Sequence, residues 1–362
     1  MRVLHVAETI RGGITTYFNE ILVHQVRAFG PENVRLIVPS DHADELIGFP
    51  PESIAGFWRQ DRLKGLPFLL WQTFREIRRF RPDVVHLHST FAGALIRGLA
   101  VPLREMPPIV YCPHGWAFDM ERAELAKRFI EGTEWLLSRR VHRIIAISRH
   151  EYDQGIRIGI PPGKLILAES GITEHLPSVD AAAWDTPLLK VLFVGRLDHQ
   201  KGFDILIDAI RSHGGEISVR AIGASVNSRD QETWDVPTHV EMLGWQHKDV
   251  VTSHLKACDV VVVPSRWEGF GLVAVEAMRA GKPVVAASVG GLAAIIVDRE
   301  TGLLVPKNDP DALAKALLSR PAQDWAAMGK AGRQRFIRHF TSDRTHTTLA
   351  ETYDTLIRKS RS

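Results

Sequence analysis

Short runs of β-branched and aliphatic residues recur along this chain, each closed by a glycine or polar turn and followed by a segment of helical period. That alternation constrains the fold more than any other feature, because it is the pattern of parallel strands joined by crossover helices. In the first half the runs are Val3–Ala7, Val34–Val38, Val84–His88, Ile109–Cys112 and Arg143–Ser148. From Glu169 to Pro187 the period is interrupted by Gly171, Pro177, three consecutive alanines and Pro187. A second series then runs through Lys190–Val194, Ile217–Ile222, His239–Leu243, Val260–Val263, Pro283–Ala286 and Gly302–Val305. A length of 362 residues suits two domains, each large enough for a full core. The sequence predicts an α/β architecture of two Rossmann-like, doubly wound domains facing one another across a cleft. Their expected spans are 1–175 and 186–339, with 176–185 as the linker. A closing amphipathic stretch from Arg344 to Arg358 reads as helix, with Leu349, Tyr353, Leu356 and Ile357 on one face.

Composition narrows the function classes. The formal charge is +3, and basic and acidic residues nearly cancel in the first half as well, so no nucleic-acid footprint is expected. The two cysteines, Cys112 and Cys258, lie far apart and form neither a disulfide framework nor a zinc-finger spacing. Val3–Ala7 is too short for the apolar core of a signal peptide. The most apolar stretch, Val84 to Leu103, is broken by His86, His88 and Arg97, so no membrane span is expected and the chain reads as cytoplasmic.

Ligands of open parallel sheets bind beyond the carboxyl ends of the strands, and four motifs sit there. After Val260–Val263 comes Pro264-Ser265-Arg266-Trp267-Glu268-Gly269-Phe270-Gly271-Leu272, running into a helix that carries Glu276. Its glycines let backbone amides approach a ligand, and the helix start attracts a diphosphate. Carboxylates such as Glu268 and Glu276 suit sugar or ribose hydroxyls; in a bland reading the first caps a helix and the second lies on a solvated face. After Lys190–Val194, the turn Gly195-Arg196-Leu197-Asp198-His199-Gln200-Lys201-Gly202 places two cations where a leaving diphosphate gains charge. The bland alternative pairs them with Asp198 or Asp204. After the first strand, Arg11-Gly12-Gly13 opens a helix without the spacing of a dinucleotide fingerprint. Finally, Cys112-Pro113-His114-Gly115-Trp116 puts His114 on a loop that can reach a sugar hydroxyl.

Together these motifs resemble glycosyltransferase family 4, retaining enzymes of the GT-B fold that move a sugar from a nucleotide donor. The resemblance also covers Asp83–His88, Ile144–Ser148 and Gly302–Val305, and so runs over nearly the whole chain. It implies that Arg196 and Lys201 hold the donor diphosphate, Glu276 the ribose and Glu268 the transferred sugar. The backbone of Gly269, Phe270, Gly271 and Leu272 would lie along the donor, Gly12 and Gly13 would approach its phosphates, and His114 would contact the sugar near the anomeric carbon. Arg196, Lys201, His114 and Glu268 are thus the expected catalytic residues. A terminal helix over 340–362 would return to the first domain. Retention without an enzymatic nucleophile implies front-face attack, with the leaving phosphate as base. Glu169-Ser170-Gly171 and Gly223-Ala224-Ser225 depart from the family pattern. No DxD motif accompanies these residues, so no cofactor and no obligatory metal are expected.

Between Arg59 and Arg81 seven basic residues, Arg59, Arg62, Lys64, Arg75, Arg78, Arg79 and Arg81, face only Asp61 and Glu76. Leu66, Phe68, Leu69, Leu70, Trp71, Phe74, Ile77 and Phe80 are interleaved with them. Such a segment suits either an anionic bilayer surface or a crossover helix whose Leu66, Leu70, Phe74 and Ile77 stripe faces the sheet. The expected function is a peripheral transferase acting on a glycan or lipid-linked glycan in bacterial surface-polysaccharide assembly. The alternatives are a nucleotide-sugar 2-epimerase of the same fold and a non-catalytic, two-lobed sugar-binding protein.

Overall fold

The computed structural model describes residues 1–59, 61–99, 106–225 and 235–361 and resolves the alternation into two wholly parallel sheets. The first contains β1 (Val3–Ala7), β2 (Val34–Pro39), β3 (Ile54–Phe57), β4 (Val84–His88), β5 (Ile109–Cys112), β6 (Arg143–Ala146) and β7 (Leu165–Leu167), in the spatial order β3-β2-β1-β4-β5-β6-β7. The second contains β8 (Leu189–Val194), β9 (Ile217–Ile222), β10 (Val240–Gly244), β11 (Val260–Val263), β12 (Val284–Ala287) and β13 (Gly302–Val305), in the order β10-β9-β8-β11-β12-β13. Both are doubly wound, with strand order reversing beside the first strand of each series. β11 is four consecutive valines, all buried, as expected for a strand covered on both faces.

The helices, in chain order, are α1 (Gly13–Phe29), α2 (Arg62–Phe80), α3 (Thr90–Arg97), α4 (Glu124–Leu137), α5 (Arg149–Arg157), α6 (Phe203–His213), α7 (Lys248–Ala257), α8 (Leu272–Arg279), α9 (Leu292–Ile295), α10 (Pro310–Leu318), α11 (Ala322–His339) and α12 (Ser342–Arg361). Local chemistry sets several ends. The Asp61 and Asp309 carboxylates accept the N–H of Lys64 and Ala312, each at 2.8 Å, and so cap α2 and α10. Ser148 caps α5, accepting from Glu151 N–H, which ends β6 at Ala146 rather than carrying it to Ser148 as the apolar run suggested. β3 and β7 were not marked by the sequence pattern; each is short and lacks an alternating run.

The chain divides into two units, residues Met1–Ile172 with Ser342–Ser362, and Thr173–Thr341. The second therefore begins inside the span given to the first domain, and it includes the stretch 176–185 read as a linker. Hydrogen bonding explains the difference. Ala182 N–H donates to Ser253 O at 3.0 Å, Trp184 Nε1–H to Ser218 Oγ at 3.0 Å and Lys256 Nζ to Val179 O at 2.6 Å. Proline and alanine interrupt the period, yet the backbone there is satisfied by the second unit.

α12 lies in the first unit, against α1 and β4. Leu349, Tyr353, Leu356 and Ile357 are buried, and Gly171 N–H donates to Thr345 Oγ1 at 2.8 Å. The buried residues of α2 include Leu69, Gln72, Thr73, Glu76 and Phe80, with Leu66, Leu70 and Ile77 packed on the same core, while Phe74 is half-buried and not part of that core. The sheet-facing reading of this helix thus holds for Leu66, Leu70 and Ile77. Phe68 and Trp71 remain exposed on it, as does Trp58 just before it. The side chain of Arg62 and residues 100–103 of the apolar stretch lie outside the described residues.

Candidate functional site

In the second unit, the loops after β8 and β11 are stitched together. Arg266 N–H donates to Gln200 O at 2.8 Å and Gln200 Nε2 to Trp267 O at 3.2 Å. The Arg266 guanidinium grips Asp204 in a two-pronged ion pair at 2.8 and 2.5 Å. That grip holds the Asp204 carboxyl below the usual carboxylate range against the opposing effect of burial, the largest single influence on it. Gly202, at φ 68°, has no room for a side chain, because a Cβ would meet Pro264 O. Gly290, at φ 49°, is equally constrained by Glu268 O, which also accepts Gly291 N–H at 3.0 Å.

This framework brings Lys201 and Glu268 together, with Lys201 Nζ 2.5 Å from Glu268 Oε2. The pair is largely covered, the side chains being 21% and 13% exposed, so each charge is met by the other. Arg196 lies further out, with Nη2 3.1 Å from Asp198 Oδ2 and 2.6 Å from Gln200 Oε1. Gly271 turns the chain into α8 in the left-handed region, and its C=O takes the N–H of both Ala274 and Val275. The N–H groups of Leu272 and Val273 precede the first intrahelical bond and are available to an anion. Gly269, Leu272 and Glu276 are half-buried, Phe270 fully buried.

In the first unit, Gly12 takes φ 81° at the start of α1, and both Gly12 and Gly13 are exposed. His114 follows β5, also in the left-handed region at φ 54°. Its ring packs edge-on to Tyr17 at 4.8 Å and stacks on His88 at 5.1 Å. Behind it lie His88, His5 and His86, on one face of β1 and β4 because the register pairs His5 with His86. Burial lowers His114 to about 3 and His5 to about 4, and pushes His86 and His88 well below the usual imidazole value. All four are neutral at pH 7.

Glu151 braces the His114 loop. Its carboxyl accepts the N–H of Gly115 and, at 2.9 Å, that of Ile147, while its own C=O takes Trp116 Nε1–H at 2.8 Å. Burial raises Glu151 to about 8, with the two backbone donors pulling the other way. His5, His86 and His88 bring ring nitrogens within 4.8 Å of one another, as do His88 and His114 with Cys112 Sγ. These atoms could hold a metal, but four of the eight ring nitrogens of His5, His86, His88 and His114 already bond to one another.

Sequence reasoning missed several members of these clusters. Glu151 was legible as the fourth residue of a Ser-x-x-Glu capping signal, and Gly290-Gly291 as a glycine pair closely following a strand. Tyr17, whose buried hydroxyl has no hydrogen-bond partner among the described residues, gave no sequence signal.

Comparison with known proteins gives these clusters a context. Residues 11–175 match the family described as Glycosyltransferase Family 4, and residues 180–335 match Glycosyl transferases group 1. An uncharacterized 41.2 kDa protein in the cps region of Klebsiella pneumoniae is 28% identical over 92% of this chain and 94% of its own. The D-inositol 3-phosphate glycosyltransferase of Rhodococcus jostii is 29% identical over 82% of this chain and 72% of its own. Among solved structures, sucrose-phosphate synthase from Thermosynechococcus elongatus superposes with a TM-score of 0.80 at 20% identity, covering 99% of this chain and 100% of that one. Anabaena HepE in complex with UDP-glucose gives a TM-score of 0.79 at 20% identity, covering 98% and 100%. At such identities the likeness establishes the fold. No helix among the described residues is long and apolar enough to cross a membrane.

Proposed function

This chain belongs to glycosyltransferase family 4 and is a sugar-transferring enzyme of the two-domain α/β GT-B fold; from that premise we propose a retaining transferase that uses a nucleoside-diphosphate sugar. The observation that carries the donor assignment is the Lys201–Glu268 pair at 2.5 Å, on loops tied together beyond β8 and β11. A diphosphate arriving there offers Lys201 a stronger anionic partner and releases Glu268 to sugar hydroxyls. Arg196 and the first N–H groups of α8 add to the same charge compensation. Glu276 takes the ribose. Gly12 and Gly13 approach the donor phosphates and His114 the sugar, an assignment that comes from the family resemblance. HepE, of the same fold, was solved with UDP-glucose, which supports a nucleotide-sugar donor.

In the reaction, the bond from the anomeric carbon to the phosphate oxygen breaks as the acceptor oxygen bonds to that carbon from the same face. The acceptor proton passes to the departing phosphate, and Lys201 and Arg196 stabilise the charge left on it. No divalent ion is required in this scheme, so turnover survives EDTA. The acceptor is a glycan or lipid-linked glycan of a surface polysaccharide, a reading supported by the relative in a cps region. Trp58, Phe68 and Trp71, exposed beside the cations of α2, would rest on anionic lipid. Sedimentation with anionic vesicles at low and physiological salt tests that contact; equal recovery with neutral vesicles would remove it.

A panel of nucleotide sugars screened for thermal protection identifies the donor, since a ligand at 100 times its Kd adds about 2.7 kcal/mol. Anomeric analysis of the product tests retention, and an inverted product would end the front-face reading. Incubation with donor alone separates a transferase from a 2-epimerase, which would convert the donor without an acceptor.

A further inference from the structure

His114 is tied to the interior of the first unit by a single file of hydrogen bonds. Its Nε2 lies 2.9 Å from His88 Nδ1, His88 Nε2 lies 2.9 Å from His5 Nδ1, and His5 Nε2 lies 2.7 Å from Gln25 Oε1. An amide oxygen only accepts, so His5 carries its proton on Nε2. A neutral imidazole has one N–H, which leaves His5 Nδ1 bare. His88 must then donate from Nε2 and accept at Nδ1, and His114 must donate from Nε2. The choice made at Gln25 is repeated at every link. Turning the amide over would reverse all three bonds together, and no mixed arrangement satisfies each link. Neutrality of the file follows from burial, since His5 and His88 are almost wholly enclosed by the sheet and its covering helices.

We propose that Gln25, acting through His5 and His88, is a positioning residue for His114: it holds the His114 proton on Nε2 and leaves Nδ1 as the acceptor for a sugar hydroxyl. Only the last clause rests on reading His114 as a donor-sugar contact. The file ends on an amide that takes up no proton, so His114 orients a hydroxyl and does not store the proton released in transfer. A metal ion among these rings would have to displace the protons they share, and the group contains no carboxylate to offset its charge.

The test is long-range 1H–15N correlation on full-length protein labelled with 15N-histidine, the His114 signals being assigned from a His114→Gln spectrum. In the unsubstituted protein His114 should show a protonated Nε2 and a bare Nδ1. Gln25→Met, close in volume but without the terminal acceptor, should populate the Nδ1–H form to a tenth or more. A His114 already protonated on Nδ1 would overturn the proposal without any variant. So would an unchanged tautomer in folded Gln25→Met, or stoichiometric zinc by elemental analysis. Saturation with UDP-glucose and GDP-mannose separates the two claims. A tautomer that answers to Gln25 while His114 Nδ1 ignores a bound nucleotide sugar would sustain the file and sink the sugar contact.

Discussion

Beyond β8 and β11 the second unit gathers Arg196, Lys201 and Glu268, partly exposed ionic groups, Lys201 and Glu268 paired with one another and Arg196 with Asp198. On β1, β4 and the loop after β5 the first unit instead packs four neutral imidazoles, joined in file or bonded to Tyr353. The two sheets share a winding pattern, so the difference lies in the cost of charge at each place. A lysine paired with a glutamate near solvent can exchange partners. An imidazole enclosed in the first unit gives up its charge, because its hydrogen bonds do not make up for the lost hydration. On the proposed function, the charged cluster would meet an anion and the neutral one hydroxyls, by hydrogen bonding alone.

The largest expected effect tests the charged side. Lys201→Ala and Glu268→Ala should each lower kcat by ~10²–10³ while circular dichroism and melting stay near those of the parent. A loss of only a few-fold in folded protein would mean that the pair is structural. Acidification tests the neutral side. The imidazoles of His5, His86, His88 and His114 have folded values below the unfolded 6.5, so the unfolded chain binds protons first. Their stabilisation is complete above pH 6.5 and is lost as the pH falls toward about 4 for His5, which alone accounts for about 3 kcal/mol. Glu151, raised by burial to about 8, acts oppositely between 4.5 and 8, one group against four. Hydrogen exchange followed from pH 7 to 4.5 should therefore show protection falling in β1 and β4 before β8 and β11. Simultaneous loss would break the contrast.

Gly290→Ala should cost about 1–3 kcal/mol, because its Cβ meets Glu268 O in a left-handed turn. Denaturant unfolding measures this, and Gly215→Ala, with open space around its Cβ, is the control. The smallest effect should come from His114→Gln, which exchanges one neutral hydrogen-bonding group for another. About a tenfold loss in kcat/KM is expected, the worth of one hydrogen bond. A loss as great as that of Lys201→Ala would make His114 more than a neutral partner.

Most strands were legible because β-branched runs closed by turns have few other uses, and β11, four valines long, is the plainest case. β3 escaped because Ala55 and Gly56 interrupt its β-branched run, and β7 because it is only three residues with a single β-branched side chain. Arg196, Lys201, Glu268 and Glu276 could be singled out from their places after strands, yet nothing local shows that Lys201 and Glu268 touch. The stretch 176–185 read as a linker because its composition resembles one, while its hydrogen bonds to Ser253, Ser218 and Lys256 come from distant segments.

By itself the amino-acid order determined the parallel α/β class and the candidate residues beyond the strands, since each depends on periodicity or on a place just after a strand. Tertiary structure alone decided that His5 stands beside His86, that Gln25 ends the file leading to His114, and that Gly290 makes room for Glu268. Those relations follow from strand register and helix packing between remote segments, where burial sets which groups can stay charged and which nitrogen holds a proton.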